Sequence, residues 1–93
     1  MQLTNSKSGI LSWSEENIKI SPETPGFFVL RVSPVNGDFL HANSTENLLR
    51  ELSKIYIDNA YADVKFFEWF SSENENDAKK AFEQWLRESS DNS

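Results

Sequence analysis

Apolar and polar positions alternate along this chain in blocks that change period. Residues 27–32 (Phe-Phe-Val-Leu-Arg-Val) form a dense run of aromatic and branched side chains. Such side chains suit a pleated, buried surface, so the run predicts a first strand. Asn36-Gly37 follows, and a tight hairpin needs positive φ at its centre, which these two residues tolerate. Residues 39–42 are the expected return strand. Ser44 or Thr45 can then cap a helix, with Thr45 and Asn47 serving the same end. That helix carries Leu48, Leu52, Ile55 and Tyr56 on one stripe with Leu49 beside it, and it is expected to stop near Asp58-Asn59.

Residues 63–70 alternate again, with Val64, Phe66 and Phe70 expected on one face and Phe67 and Trp69 on the other. Apolar side chains on both faces predict a third strand that is central or covered. Residues 71–77 are polar and read as a cap region. The last helix spans 78–88, with Ala78, Ala81, Phe82, Trp85 and Leu86 inward. Upstream, Ser12 and Glu15 have capping-box spacing, so 14–18 reads as a short helical turn, packed by Ile10, Leu11 and Trp13. Residues 21–26, with Pro22 and Pro25-Gly26, form a turn. The expectation is an α+β domain: a hairpin, then a third strand, in a three-stranded antiparallel sheet flanked by helices. One domain spans 1–93, with frayed ends at about 1–9 and 89–93.

Composition narrows this picture. The chain has 93 residues, 38% hydrophobic, with seven Phe and three Trp, which suffices for a modest packed core. It has no cysteine, so disulfides, thiolate nucleophiles and Cys-ligated metals are excluded. Fifteen acidic against nine basic residues give a net charge of −6. Affinity for nucleic acid comes largely from neutralised phosphates, and the sole basic cluster is Lys79-Lys80, so nucleic acid is a disfavoured partner. No apolar run approaches the ~20 residues of a membrane span, and residues 1–8 lack the apolar core of a signal peptide. A cytoplasmic protein without membrane contact is the expectation.

Residues 25–48 resemble the core of a GIY-YIG domain, the small nuclease module of excision-repair and homing endonucleases. The family reads roughly Pro-Gly-Val-Tyr, a turn, then Tyr-Val-Gly-Arg-(Ser/Thr)-x-Asn-Leu. Here Pro25-Gly26-Phe27-Phe28 falls on the first block, and His41-Ala42-Asn43-Ser44-Thr45-Glu46-Asn47-Leu48 falls on the second. With the short helix before Pro25 and the strand and helix that follow, the resemblance runs from Trp13 to Leu86. It implies the GIY-YIG fold. The chemical positions depart from the pattern: family tyrosines fall on Phe28 and His41, a glycine on Asn43 and the arginine on Ser44.

In the family, a tyrosine hydroxyl helps place the attacking water, an arginine steadies phosphate charge, and a glutamate on the last helix holds a divalent metal. Cleavage needs all three near one phosphate. Phe28 lacks the hydroxyl, cannot do a tyrosine's work, and reads as a core or surface aromatic on a strand. His41, the one histidine, is a candidate general base near neutral pH, although a lone strand histidine is more often structural. Ser44 carries no charge. Arg50 and Lys54 are four apart on the outer helix surface, where a solvated face is the simpler account. The resemblance puts either Glu83 or Phe82 in the metal-ligand position, and one carboxylate alone makes a weak magnesium site.

The sequence therefore points first to a GIY-YIG-like domain without catalysis, a small acidic binding or regulatory module that engages a protein. Its candidate binding surface is Phe28, His41, Asn43, Ser44, Asn47 and Arg50, together with any exposed part of Phe27, Phe67 and Trp69. One alternative is a residual or altered magnesium-dependent endonuclease acting on DNA through His41, Arg50 and Glu83, the only reading that calls for a cofactor. Another is an acidic partner of a nucleic-acid-binding protein, presenting Glu73, Glu75 and Asp77 with Glu15 and Glu16.

Overall fold

A computed structural model describes residues 6–34 and 39–90. The elements in chain order are β1 (Leu11–Ser12), α1 (Glu15–Lys19), β2 (Gly26–Arg31), β3 (His41–Thr45), α2 (Leu48–Asp58), β4 (Phe66–Ser71) and α3 (Glu75–Ser90). The fold is α+β, with three helices and a four-stranded sheet in the order β1-β4-β2-β3, every pairing antiparallel.

The sheet thus has one strand more than expected. Leu11 and Ser12 pair with Phe67 and Phe66 instead of leading into the helical turn as loose packing. Residues upstream are also tied down, where a frayed end was expected. Lys7 bridges Phe70, the Ser8 N–H donates to the Trp69 carbonyl, and the Ser71 N–H donates to the Ser6 carbonyl. This segment covers the outer edge of β4, which would otherwise expose a row of unpaired backbone groups. At the other end, α3 continues through Ser89 and Ser90, two residues beyond the expected helix. The expected Asn36-Gly37 turn lies outside the described residues.

The cap of α1 falls two residues on from Ser12, and of the residues expected to serve the α2 cap it is Asn47 that does so. Ser14, not Ser12, caps α1 by accepting from the Asn17 N–H. Ser44 and Thr45 belong to β3, and Asn47 caps α2 by accepting from the Arg50 N–H at 3.0 Å. Thr45 Oγ1 accepts from the Asn47 N–H at 3.2 Å and sets up that cap. The chain turns out of α2 at Asn59, whose φ of 51° is left-handed, a conformation asparagine tolerates at a helix C-terminus. Ser71 and Ser72, expected in a polar cap region, are buried; Ser71 ends β4, and Asn74 caps α3 through the Asp77 N–H.

β2 is buried along its whole length because the sheet is covered on both faces. On one face, Phe28 and Leu30 meet Ile18 of α1, Leu48, Leu52 and Ile55 of α2, and Phe67 of β4 in a single core. Val64 joins this core from just before β4, so it sits with Phe67 and not with Phe66 and Phe70. On the other face, α3 lies across β2 and β3. There Phe27 stacks on Phe70 with ring centroids 4.4 Å apart, and Phe82 and Trp85 of α3 tilt onto Phe27 at 5.8 and 6.0 Å. Gly26 opens β2 tight against β4 and Leu48 of α2. A Cβ there would run into the Phe70 carbonyl oxygen and lie 2.8 Å from Leu48 Cδ1.

Candidate functional site

Strand alternation decides where each candidate side chain goes. Phe28 points into the α1/α2 face and is 1% exposed, so it belongs to the core and offers nothing to a ligand. His41 lies opposite Leu30 and Asn43 opposite Phe28, which puts both on that same face. The His41 ring stacks on Tyr61 at 4.8 Å and approaches Phe28 at 6.0 Å. Asn43 is exposed, and its Oδ1 accepts from the Ser44 N–H at 2.8 Å. Asn47 is spent on its cap. Arg50 is exposed one turn further on, 3.4 Å from Glu46 in an i,i+4 ion pair.

Ser44 lies opposite Phe27 and so faces the other way, toward α3. Glu83 is on α3, exposed, next to the Phe82 that packs on Phe27. The sheet therefore separates the His41 side chain from the helix that carries Glu83. The structure puts His41 and Asn43 on one face, His41 beside Tyr61 just past the end of α2, and it does not bring Glu83 to them. Of the two residues competing for the metal-ligand position, Phe82 is the one turned toward the sheet, and Glu83 is turned to solvent. Among the described residues, no three His, Asp or Glu side chains gather into a group that could hold a metal ion.

The expected docking aromatics are not surface either. Phe27 and Phe67 are buried, and Trp69 packs against the core. The exposed large apolar side chains are elsewhere: Ile20, Tyr56 and Ile57 stand at the ends of α1 and α2, and Val32, Phe39 and Leu40, with Ser33, line a hollow of about 300 Å³ where β2 and β3 end. Trp85 meets the edge of Phe39 at 5.1 Å and ties that hollow to the end of α3. A second hollow, also about 300 Å³, opens on the α3 face over Phe27 and Phe70.

One charged pair escaped the sequence reading. Arg31 Nε and an Nη donate to the same Glu68 oxygen at 3.0 and 2.6 Å, with side chains 4% and 10% exposed. Both residues continue an inward-facing alternation, Arg31 after Phe27 and Val29, and Glu68 between Phe66 and Phe70. Opposite charges at inward positions of two strands were the available signal. Tyr61 and Lys7, by contrast, gave no sequence signal, because each acquires its role from a segment far away in the chain.

Among the described residues no helix is long and apolar enough to cross a membrane. Comparison with protein-family models, curated proteins and solved structures finds no match to this chain.

Proposed function

We propose that this chain is a non-catalytic, GIY-YIG-like domain that works as a small acidic binding module for a protein partner. The observation that carries this reading is the dispersal of the chemical positions. Phe28 is inside the core, His41 and Arg50 belong to the α1/α2 side, and Glu83 stands on the helix that covers the opposite face. A phosphodiester held at His41 would have the sheet between it and Glu83, so the general base and the carboxylate could not act on one phosphate. Arg50 is also engaged by Glu46. What the surface offers instead is apolar contact at Val32, Phe39 and Leu40, in a protein of net charge −6. That combination suits a protein surface with an apolar anchor and a basic rim better than it suits a phosphate backbone.

Incubating the pure protein with supercoiled plasmid and magnesium tests the first half of the proposal. No nicking is expected, and nicking that disappears in His41→Ala would overturn it. A photo-crosslinking residue at position 40 tests the second half, with position 83 as control. Specific adducts with a partner are expected from position 40 only. Adducts confined to position 83 would move the surface to the outer side of α3.

A second reading has its own observation. Glu15, Glu16, Glu75 and Asp77 are all exposed at the starts of α1 and α3. They could occupy the phosphate sites of a nucleic-acid-binding protein, although acidic residues also favour helix starts because of the helix dipole. Binding that weakens steeply with salt favours this version, and salt-insensitive binding favours the apolar surface.

A further inference from the structure

The hollow over Phe27 and Phe70 has a chemistry that the protein-binding reading does not use. Its floor is the stacked pair of rings, and one wall is Ala81 of α3, too small to fill the space. Because α3 lies across β2 and β3, Phe70 on β4 stays only half-buried. The opposite wall is the segment before β1. Ser6 is clamped there by Ser71: its N–H donates to Ser71 Oγ at 3.1 Å, and the two hydroxyls meet at 2.8 Å. That clamp fixes the backbone of Lys7 opposite Phe70 and sends its side chain to the rim of the hollow.

Two polar side chains there are placed to meet a ligand. Lys7 is the only charged residue among the described residues that line the hollow, and it makes no ion pair among the described residues. Ser72 also lines it, and its hydroxyl makes no hydrogen bond among the described residues. One cation and one hydroxyl beside an aromatic floor complement a single anionic group attached to a flat apolar body.

Volume narrows the class further. About 300 Å³ lies at the lower limit of small-molecule sites, whereas a cavity of about half that size holds benzene. A nucleotide is too large and brings more negative charge than one lysine matches. We infer that this hollow is a binding site for a small aryl monocarboxylate, its ring laid on Phe27 and Phe70 and its carboxylate held by Lys7 and Ser72. The hollow at Val32, Phe39 and Leu40 has no charged group among the described residues lining it and does not share this preference.

The test is a titration of the isotopically labelled full chain with phenylpropionate, following backbone and methyl shifts. Saturable shifts at Lys7, Phe70, Ser72 and Ala81 are expected, with Kd of about 1 mM for so few atoms. Phenylpropionamide, the neutral isostere, should bind about fivefold more weakly, and Lys7→Gln should weaken the acid by the same factor while leaving the amide unchanged. Ala81→Leu should fill the hollow and abolish both. No shifts at these residues, shifts centred on Val32 and Leu40, or equal binding of acid and amide would each overturn the assignment. Failure here leaves the protein-binding proposal untouched, because that proposal rests on the other end of the sheet.

Discussion

The two faces of this sheet are built from the same strands and do different work. The α1/α2 face is closed: Phe28, Leu30, Leu48, Leu52 and Phe67 are all at or below 1% exposed. The α3 face is aromatic, half-covered and mixed. Phe70, Phe82 and Trp85 remain partly open, a buried ion pair sits among them, and one hollow opens beside α3 while another lies at the sheet's end. A closed aliphatic layer contributes stability and offers no room for ligands. An aromatic layer under a single helix leaves gaps where side chains of unequal size meet. In a domain this small, whose stability is a narrow margin, the first face can hold the fold while the second carries recognition.

The largest expected effect breaks the closed face. Leu52→Ala should cost about 3–5 kcal/mol, because it opens a cavity in a core with no side able to collapse. Phe82→Ala, on the half-open face, should cost clearly less, about 1–2 kcal/mol, since solvent already reaches that layer. Urea titrations of both variants measure the difference. Equal losses would mean that the two faces share the stability and that α3 is as essential as α2.

Next is the buried pair. Arg31→Met leaves the Glu68 carboxylate buried without its guanidinium and should cost about 3 kcal/mol. Arg31→Met with Glu68→Leu should recover most of that loss, because removing both charges also removes their desolvation cost. Thermal unfolding of the two singles and the double closes the cycle. A double mutant as unstable as the worse single would mean that the pair fixes strand register, which apolar replacements cannot do.

This pair also marks how far the sequence was legible. Elements announced by periodicity were found: Leu48, Leu52 and Ile55 of α2, residues 27–31 of β2 and Ala78 of α3 are buried, whereas Tyr56 and Val32, expected with them, are exposed and Ala81, Phe82, Trp85 and Leu86 are half-buried. The strand Leu11–Ser12 was missed because two residues carry no period, and it exists only because β4 offers an open edge. Among candidate site residues, types were readable and faces were not. His41 and Glu83 each look chemically able, but only the fold shows that a sheet lies between them. Phe27 and Phe28 were both candidates for a binding surface, whereas here both sides of the strand are covered.

Gly26 bears on the seam between the two faces. Gly26→Ala should cost about 2–3 kcal/mol, since the added methyl meets the Phe70 carbonyl, a backbone atom that cannot swing away. Because Leu48 Cδ1 is the next contact, the strain passes into the closed face as well as the open one. Amide exchange should therefore rise in β2, β4 and the first turn of α2 together. Faster exchange in β4 alone would mean that the faces are mechanically independent.

The smallest effect is at the start of α2. Asn47→Ala removes the side chain that accepts the Arg50 N–H and should cost about 1 kcal/mol. Asn47→Asp should keep the cap and gain slightly from the helix dipole. The family resemblance places Asn47 in its signature, yet the cap alone accounts for the residue. If Asn47→Asp unfolds at the same urea concentration as the parent or a higher one, and the crosslinking residue at position 40 still captures its partner, Asn47 is structural. Loss of capture with stability intact would extend the recognition surface across the end of β3 to α2, and the division of labour between the two faces would no longer hold.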